Sequence, residues 1–241
     1  TALIVGVGFP LLVFLFYRDN PEQCNCNVDG TKKNLAKEKS KSTPRLKDFT
    51  LKEAIRTYSF WVFNLSLAIH ALVITALTFH IASIFEVADL SQEKAVSVFL
   101  PGSIISVVLN FSSSWLSDFT KLKYLLMAHL SGLLLLLLSI VLLKPLPVGY
   151  WLVIIGYGIS MGLFSVISNV TWPRFFGIGH LGSISGYVLG WSVVASSIGP
   201  YFFSLSHDLT GRYTASAFIC LGIVFVLLIL SFKAENVNRN I

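Results

Sequence analysis

Residues 171–211, TWPRFFGIGHLGSISGYVLGWSVVASSIGPYFFSLSHDLTG, run from a Pro-Arg and glycine-rich connector into an uncharged apolar stretch of membrane length. A second such stretch, residues 150–170, precedes the connector. Crossing the hydrocarbon core of a bilayer takes roughly 20 apolar residues in helix, so the segment reads as a bend between two membrane spans. Pro173 is expected to end the first helix and Arg174 to mark the polar side. Gly182, Gly186 and Gly190 recur every fourth residue and offer a smooth strip for another helix.

The same pattern extends over the chain. Six stretches carry no Asp, Glu, Lys or Arg over span length: residues 60–85, 95–116, 124–143, 150–170, 184–205 and 213–232. With 54% hydrophobic and 12% charged residues, the composition is that of a polytopic membrane protein rather than a soluble domain. In lipid the backbone must satisfy its own hydrogen bonds, which makes every span a helix. The expected fold is therefore an all-α bundle of six transmembrane helices. The short connectors predict antiparallel packing of consecutive helices.

Charge gives the topology. Fifteen basic residues fall in residues 18–59, 117–123 and 171–183 and in the tail, against Lys94, Lys144 and Arg212 on the other side. By the positive-inside rule the first side is cytoplasmic. The net charge of +6 is thereby accounted for without a nucleic-acid partner; the partners are the lipid bilayer and a small solute. The domain reading is a helix end at 1–17, a basic cytoplasmic loop at 18–57, the six-helix bundle at 58–233 and a cytoplasmic tail at 234–241. Thr50 and Glu53 form a T-x-x-E capping box with Phe49 and Ala54 as its staple, starting a helix at Leu51 that continues into the first full span.

Catalysis is not expected. The acidic residues all lie in connectors or the tail, and no Ser-His, Asp-pair or H-E-x-x-H arrangement occurs. Cys24 and Cys26, as C-N-C without a histidine nearby, do not make a tetrahedral metal site, and Cys220 lies inside the last span. No metal and no cofactor are expected. Polar groups inside the spans are the candidates for a solute pathway: His70, Thr78, His80, Asn110, Tyr157 and Trp191. Pro101-Gly102 and Gly199-Pro200 are candidate hinges or packing points. In W-L-S-D-F-T-K-L-K, residues 115–123, an acid at a helix end followed by two lysines can tie two helix ends together.

These residues resemble the carboxyl-terminal half of a major facilitator superfamily transporter, near its oxalate/formate and monocarboxylate porter branch. The resemblance rests on F-Y-R-D-N-P-E-Q-C at 16–24, on residues 51–85, on the Asp118 connector, and on W-P-R-F-F-G, H-L-G, S-G, G-P and D-L-T-G-R-Y within 171–213. It implies that residues 1–17 are the truncated end of helix six and that the six full spans are helices seven to twelve. A missing amino-terminal six-helix half would supply the rest of a midplane solute site, worked by alternating access. Helices seven and ten would face the pathway most directly. Asp118 with Lys121 or Lys123, and Arg174, would form the cytoplasmic gate, although Ser114 and Phe119 replace the motif's glycine and arginine. The implied function is secondary transport of a small organic solute, a carboxylate, as a symporter or antiporter in the cell membrane. The branch's helix-eight arginine is replaced near Asn110, and residues 184–205 hold no cation, so a carboxylate would find its countercharge at His70, at helix ends or in the other half. A non-transporting receptor or scaffold, or a dimerising six-span half-transporter, are the alternatives.

Overall fold

In the computed structural model, residues 47–144 and 147–237 are described; residues 1–46, with the expected helix end, most of the expected basic loop and Cys24 and Cys26, lie outside them. The described residues form one unit of helices: α1 (Leu51–Ala54), α2 (Tyr58–Val87), α3 (Gln92–Ser97), α4 (Phe99–Phe119), α5 (Leu122–Leu142), α6 (Val148–Phe176), α7 (Leu181–Thr210) and α8 (Thr214–Ser231). Six of these elements, with α3 and α4 taken together, are long and apolar enough to cross a membrane. At 1.5 Å per residue, the 30 residues of α2 span about 45 Å, well beyond a hydrocarbon core of about 30 Å.

Neighbours in space are mostly not neighbours in sequence. The extensive contacts are α2 with α7, α4 with α6, α5 with α6, and α5 with α8. Only the α5 and α6 pair joins consecutive spans, which corrects the expectation drawn from connector length. Antiparallel direction follows from short loops, but side-by-side packing does not. Glycine decides the closest approaches. A Cβ at Gly162 of α6 would lie 2.7 Å from the Ser106 carbonyl oxygen of α4, and one at Gly156 would meet the Leu136 backbone of α5. At Gly199 of α7 it would meet the Leu72 carbonyl of α2. One end of the bundle is filled by aromatic rings: Trp172 lies 5.5 Å from Phe60 and stacks on Phe176, and Phe63 meets Phe175 edge-on at 5.2 Å. Trp172, Phe60, Phe63 and Phe176 are all fully buried.

Several expected boundaries move. The Thr50–Glu53 capping box forms, but α1 is a single turn and does not run into α2. Thr57 starts a second helix by accepting from the Phe60 N–H. The span expected at 95–116 is interrupted at Val98, so Pro101 sits in the first turn of α4, where its missing N–H costs no intrahelical bond. It marks a break between two helices rather than a mid-span hinge. Pro173 lies inside α6, which continues to Phe176 and stops at Gly177, whose φ of 80° lies in the left-handed region. Pro200 is inside α7, as expected. The Gly182, Gly186 and Gly190 strip has no described atom within 4 Å of its added Cβ positions. Within this unit the strip is a bare surface, not a packing seam.

Candidate functional site

Large apolar side chains are exposed on every span, most fully on α4 and α7 (Leu100 73%, Phe111 74%, Tyr201 70%), and the spans differ in whether polar groups interrupt them. On α8 the exposed surface is apolar: Phe218, Ile219, Ile223, Phe225, Val226 and Ile229. That is a surface for lipid tails. On α2, α4, α6 and α7, hydroxyl and amide side chains reach the surface. Thr78 of α2, Ser103 and Ser114 of α4, Ser165 and Asn169 of α6, and Ser197 of α7 are exposed, with Thr75, Asn110, Tyr157, Ser192 and Ser196 half-buried. On α6 the spacing Tyr157, Ser165, Asn169 keeps one helical side. Several of these groups already donate within the protein: Thr78 to the Ile74 carbonyl at 2.8 Å, Asn169 to the Ser165 carbonyl at 2.8 Å, and Asn110 across to the Gly162 carbonyl at 3.3 Å. Their oxygens remain as acceptors, Asn110 and Asn169 each keep a second N–H, and none supplies a formal charge.

Openness differs between helices in the same sense. In their most apolar windows, the α3–α4 span and α7 are 17% buried, against 50% for α2 and α6. The spans expected to face a pathway most directly, α2 and α6, are thus more enclosed than α4 and α7.

The helix ends near Asp118 are cross-braced. The Arg174 guanidinium, from α6, bridges to Asp118 at 3.3 Å and donates to the Ser117 carbonyl at the end of α4. Lys123, at the start of α5, meets Glu235 of the tail at 3.0 Å and donates to the Phe232 carbonyl at 3.2 Å. Lys121 is exposed and lines, with Asp118 and Arg174, a cavity of about 230 Å³. The acid of this connector therefore pairs with α6 rather than with its own lysines. The tail is held to α2 as well: Ser59 Oγ donates to the Glu235 carbonyl at 2.7 Å and accepts from its N–H at 3.1 Å. Asp48 accepts from the Ile178 and Gly179 N–H groups, both at 3.0 Å, and the Phe49 N–H donates to the Phe176 carbonyl at 2.9 Å, docking residues 48–49 on the α6–α7 connector. Glu53 is held below the usual carboxylate range, first by the Thr50 backbone N–H, then by its hydroxyl and by Lys47.

A family model described as Major Facilitator Superfamily matches residues 1–200. The chain belongs to the major facilitator superfamily. It is an integral, multi-pass membrane protein of a transporter family. No curated protein matches the chain.

In this superfamily member the structure scatters the six expected pathway residues. Thr78, Asn110 and Tyr157 are on the polar surface, Tyr157 edge-on to Phe99 at 5.4 Å and close over Gly102. His70 is not on it. Its ring is 2% exposed, stacked on Phe164 at 4.2 Å and 4.8 Å from His129. The flat faces of an imidazole pack as an aromatic does, and here that draws the ring into the core. His129 in turn shares a hydrogen bond of 3.0 Å with the Ser160 carbonyl. His70 Nδ1, His129 Nε2 and both side-chain polar atoms of Asn64 are buried without a hydrogen-bond partner among the described residues. His80 Nε2 donates to the Pro200 carbonyl at 3.0 Å, tying α2 to α7 at the proline. Trp191 packs edge-on to Trp61 at 5.8 Å and borders an apolar groove with Leu65, Ile69 and Ile223. Spacing carries no signal for the His70–His129 contact, because the two rings come from different leucine-rich spans.

Proposed function

We propose that the protein is a secondary transporter of a small organic solute, a carboxylate, working by alternating access. The observation that supports this reading is that hydroxyl and amide groups interrupt the exposed apolar surface of α2, α4, α6 and α7 but not that of α8. Polar side chains left in contact with hydrocarbon gain nothing, so they turn towards protein or a watery cavity. The α2, α4, α6 and α7 surfaces suit the wall of such a cavity, closed on its far side by a second six-helix bundle, and α8 suits lipid. The bare glycine strip of α7 would give that second bundle a place to approach.

In this reading, Tyr157, Ser165 and the second N–H of Asn110 donate to the carboxylate and Thr78 accepts from other groups of the solute, while the countercharge comes from the second bundle, since His70 is enclosed. The Asp118–Arg174 brace opens and closes with the helix ends, and the excess of basic residues on that side supports its facing the cytoplasm. Uptake of labelled small mono- and dicarboxylates into vesicles tests the proposal. Saturable uptake that falls about tenfold in Asn110→Ala and Tyr157→Phe is expected, from the loss of one hydrogen bond to a charged group each. Correctly inserted protein that takes up none of these acids would sink the carboxylate reading.

A further inference from the structure

The end of the bundle opposite Asp118 holds a cavity of about 430 Å³, where α2, α5 and α8 finish or begin. It is two-faced. Ile84, Ile140, Val141 and Phe218 line it with hydrocarbon, and Lys144 and Arg212 stand at its rim. These are two of the three basic residues assigned to that side of the membrane by sequence, gathered at one place. Phe218 is 57% exposed, so the apolar wall opens outward along the lipid-facing side of α8.

Charge at the rim is out of balance. Lys144 meets Asp89 at 2.9 Å, but both side chains are largely exposed and such a pair is weakly held. Arg212 has no carboxylate partner among the described residues; its backbone N–H and carbonyl are engaged by Thr210. Thr214, the first residue of α8, also lines the cavity, and Tyr213 provides no side-chain cap for that helix. The Ser216 N–H of that first turn donates instead to Ser206 Oγ at 3.2 Å, and the remainder of the helix start adds partial positive charge in the same place. A cationic rim at the membrane surface over a hydrocarbon slot matches an anionic amphiphile whose head lies at the interface and whose chain runs along the spans.

We propose that this cavity is a binding site for an anionic glycerophospholipid of the adjoining leaflet. The phosphate is held between Arg212 and Lys144, displacing Asp89, and one acyl chain lies against Ile140, Val141 and Phe218. The bound lipid adds a link between α2, α5 and α8 at an end where Tyr213 Oη already donates to Ser83 Oγ of α2 at 3.0 Å and the exposed Lys144–Asp89 pair is given up to the phosphate. This site is separate from the polar surface of α2, α4, α6 and α7 and does not depend on the identity of the solute.

The test uses purified protein in nanodiscs of phosphatidylcholine with or without phosphatidylglycerol, with melting temperature and lipid retention by native mass spectrometry as readouts. Phosphatidylglycerol is expected to raise Tm by about 5 °C. Its retention should fall about tenfold in the double variant Lys144→Gln, Arg212→Gln, with the Tm rise lost. Lys94→Gln removes the third cation of that side, which does not line the cavity, and should behave as the parent does. Inorganic phosphate with phosphatidylcholine alone should produce no shift. Equal retention and an equal Tm rise in the double variant would overturn the proposal, as would a full shift with inorganic phosphate.

Discussion

Helices α6 and α7 are nearly the same length, 29 and 30 residues, and each carries four glycines and an internal proline. Their surroundings are opposite. Gly156, Gly158 and Gly162 of α6 are pressed against α5 and α4, so closely that a methyl group at any of them would strike a neighbour. Gly182, Gly186 and Gly190 of α7 look onto open space. A glycine strip therefore records that something comes close, but not what. In α6 the visitor is within this bundle. In α7 the described residues leave the place empty, and Gly199 alone is used, against the Leu72 carbonyl.

The contrast can be broken in several ways. Trp172→Ala on α6 empties a site that is 2% exposed and surrounded by Phe60 and Phe176. A loss of about 3–5 kcal/mol is expected in reversible unfolding from mixed micelles. Trp191→Ala on α7, with 39% of the ring exposed, should cost well under half as much; equal losses would mean that α7 is enclosed by this bundle after all. Next in size, Gly162→Val should destabilise by about 1–3 kcal/mol, because the atoms it meets include the α4 backbone. Gly186→Val should leave Tm unchanged while reducing uptake, the signature of a surface that is covered only by a second bundle. A Tm loss in Gly186→Val matching that of Gly162→Val would refute the distinction.

At the end of α6, Arg174→Gln removes a bond to the Ser117 carbonyl as well as the ion pair, and should cost about 1–3 kcal/mol. Asp118→Asn leaves the carbonyl bond in place. With its carboxylate 71% exposed, it should cost no more than about 1 kcal/mol. The smallest effect concerns the turn that follows the clamp on the α6–α7 connector. Because the folded Glu53 carboxyl titrates below its unfolded value, its capping contribution is complete above the ordinary carboxylate range and disappears as the pH falls through the lowered value. Amide exchange at residues 51–54 should quicken over that acid window, and Glu53→Gln should remove the dependence.

How far the residues speak for themselves varies with the kind of contact. The six spans and the Thr50–Glu53 box are legible because lipid and backbone impose a local rule on each residue. The interruption at Val98 was half visible in Pro101, whose place in a first turn depends on where the preceding helix stops. Pairings between helices were not legible: Asp118 had two lysines within five residues and found Arg174 instead, because α6 packs on α4. His70 illustrates the same limit. A polar, titratable ring deep in a span invites a pathway role, yet its stacking on Phe164 and nearness to His129 depend on the rotation of three helices.

The Ser59–Glu235 contact joins residues 176 positions apart. At synthesis rates of about 5–20 residues per second, the near end of α2 waits roughly 9 to 35 s after leaving the ribosome for the partner that fastens it. Throughout that interval α2 must be retained in the membrane by its own hydrophobicity and by whichever insertion machinery accompanies it, and only the arrival of α8 and its trailing residues makes the arrangement permanent.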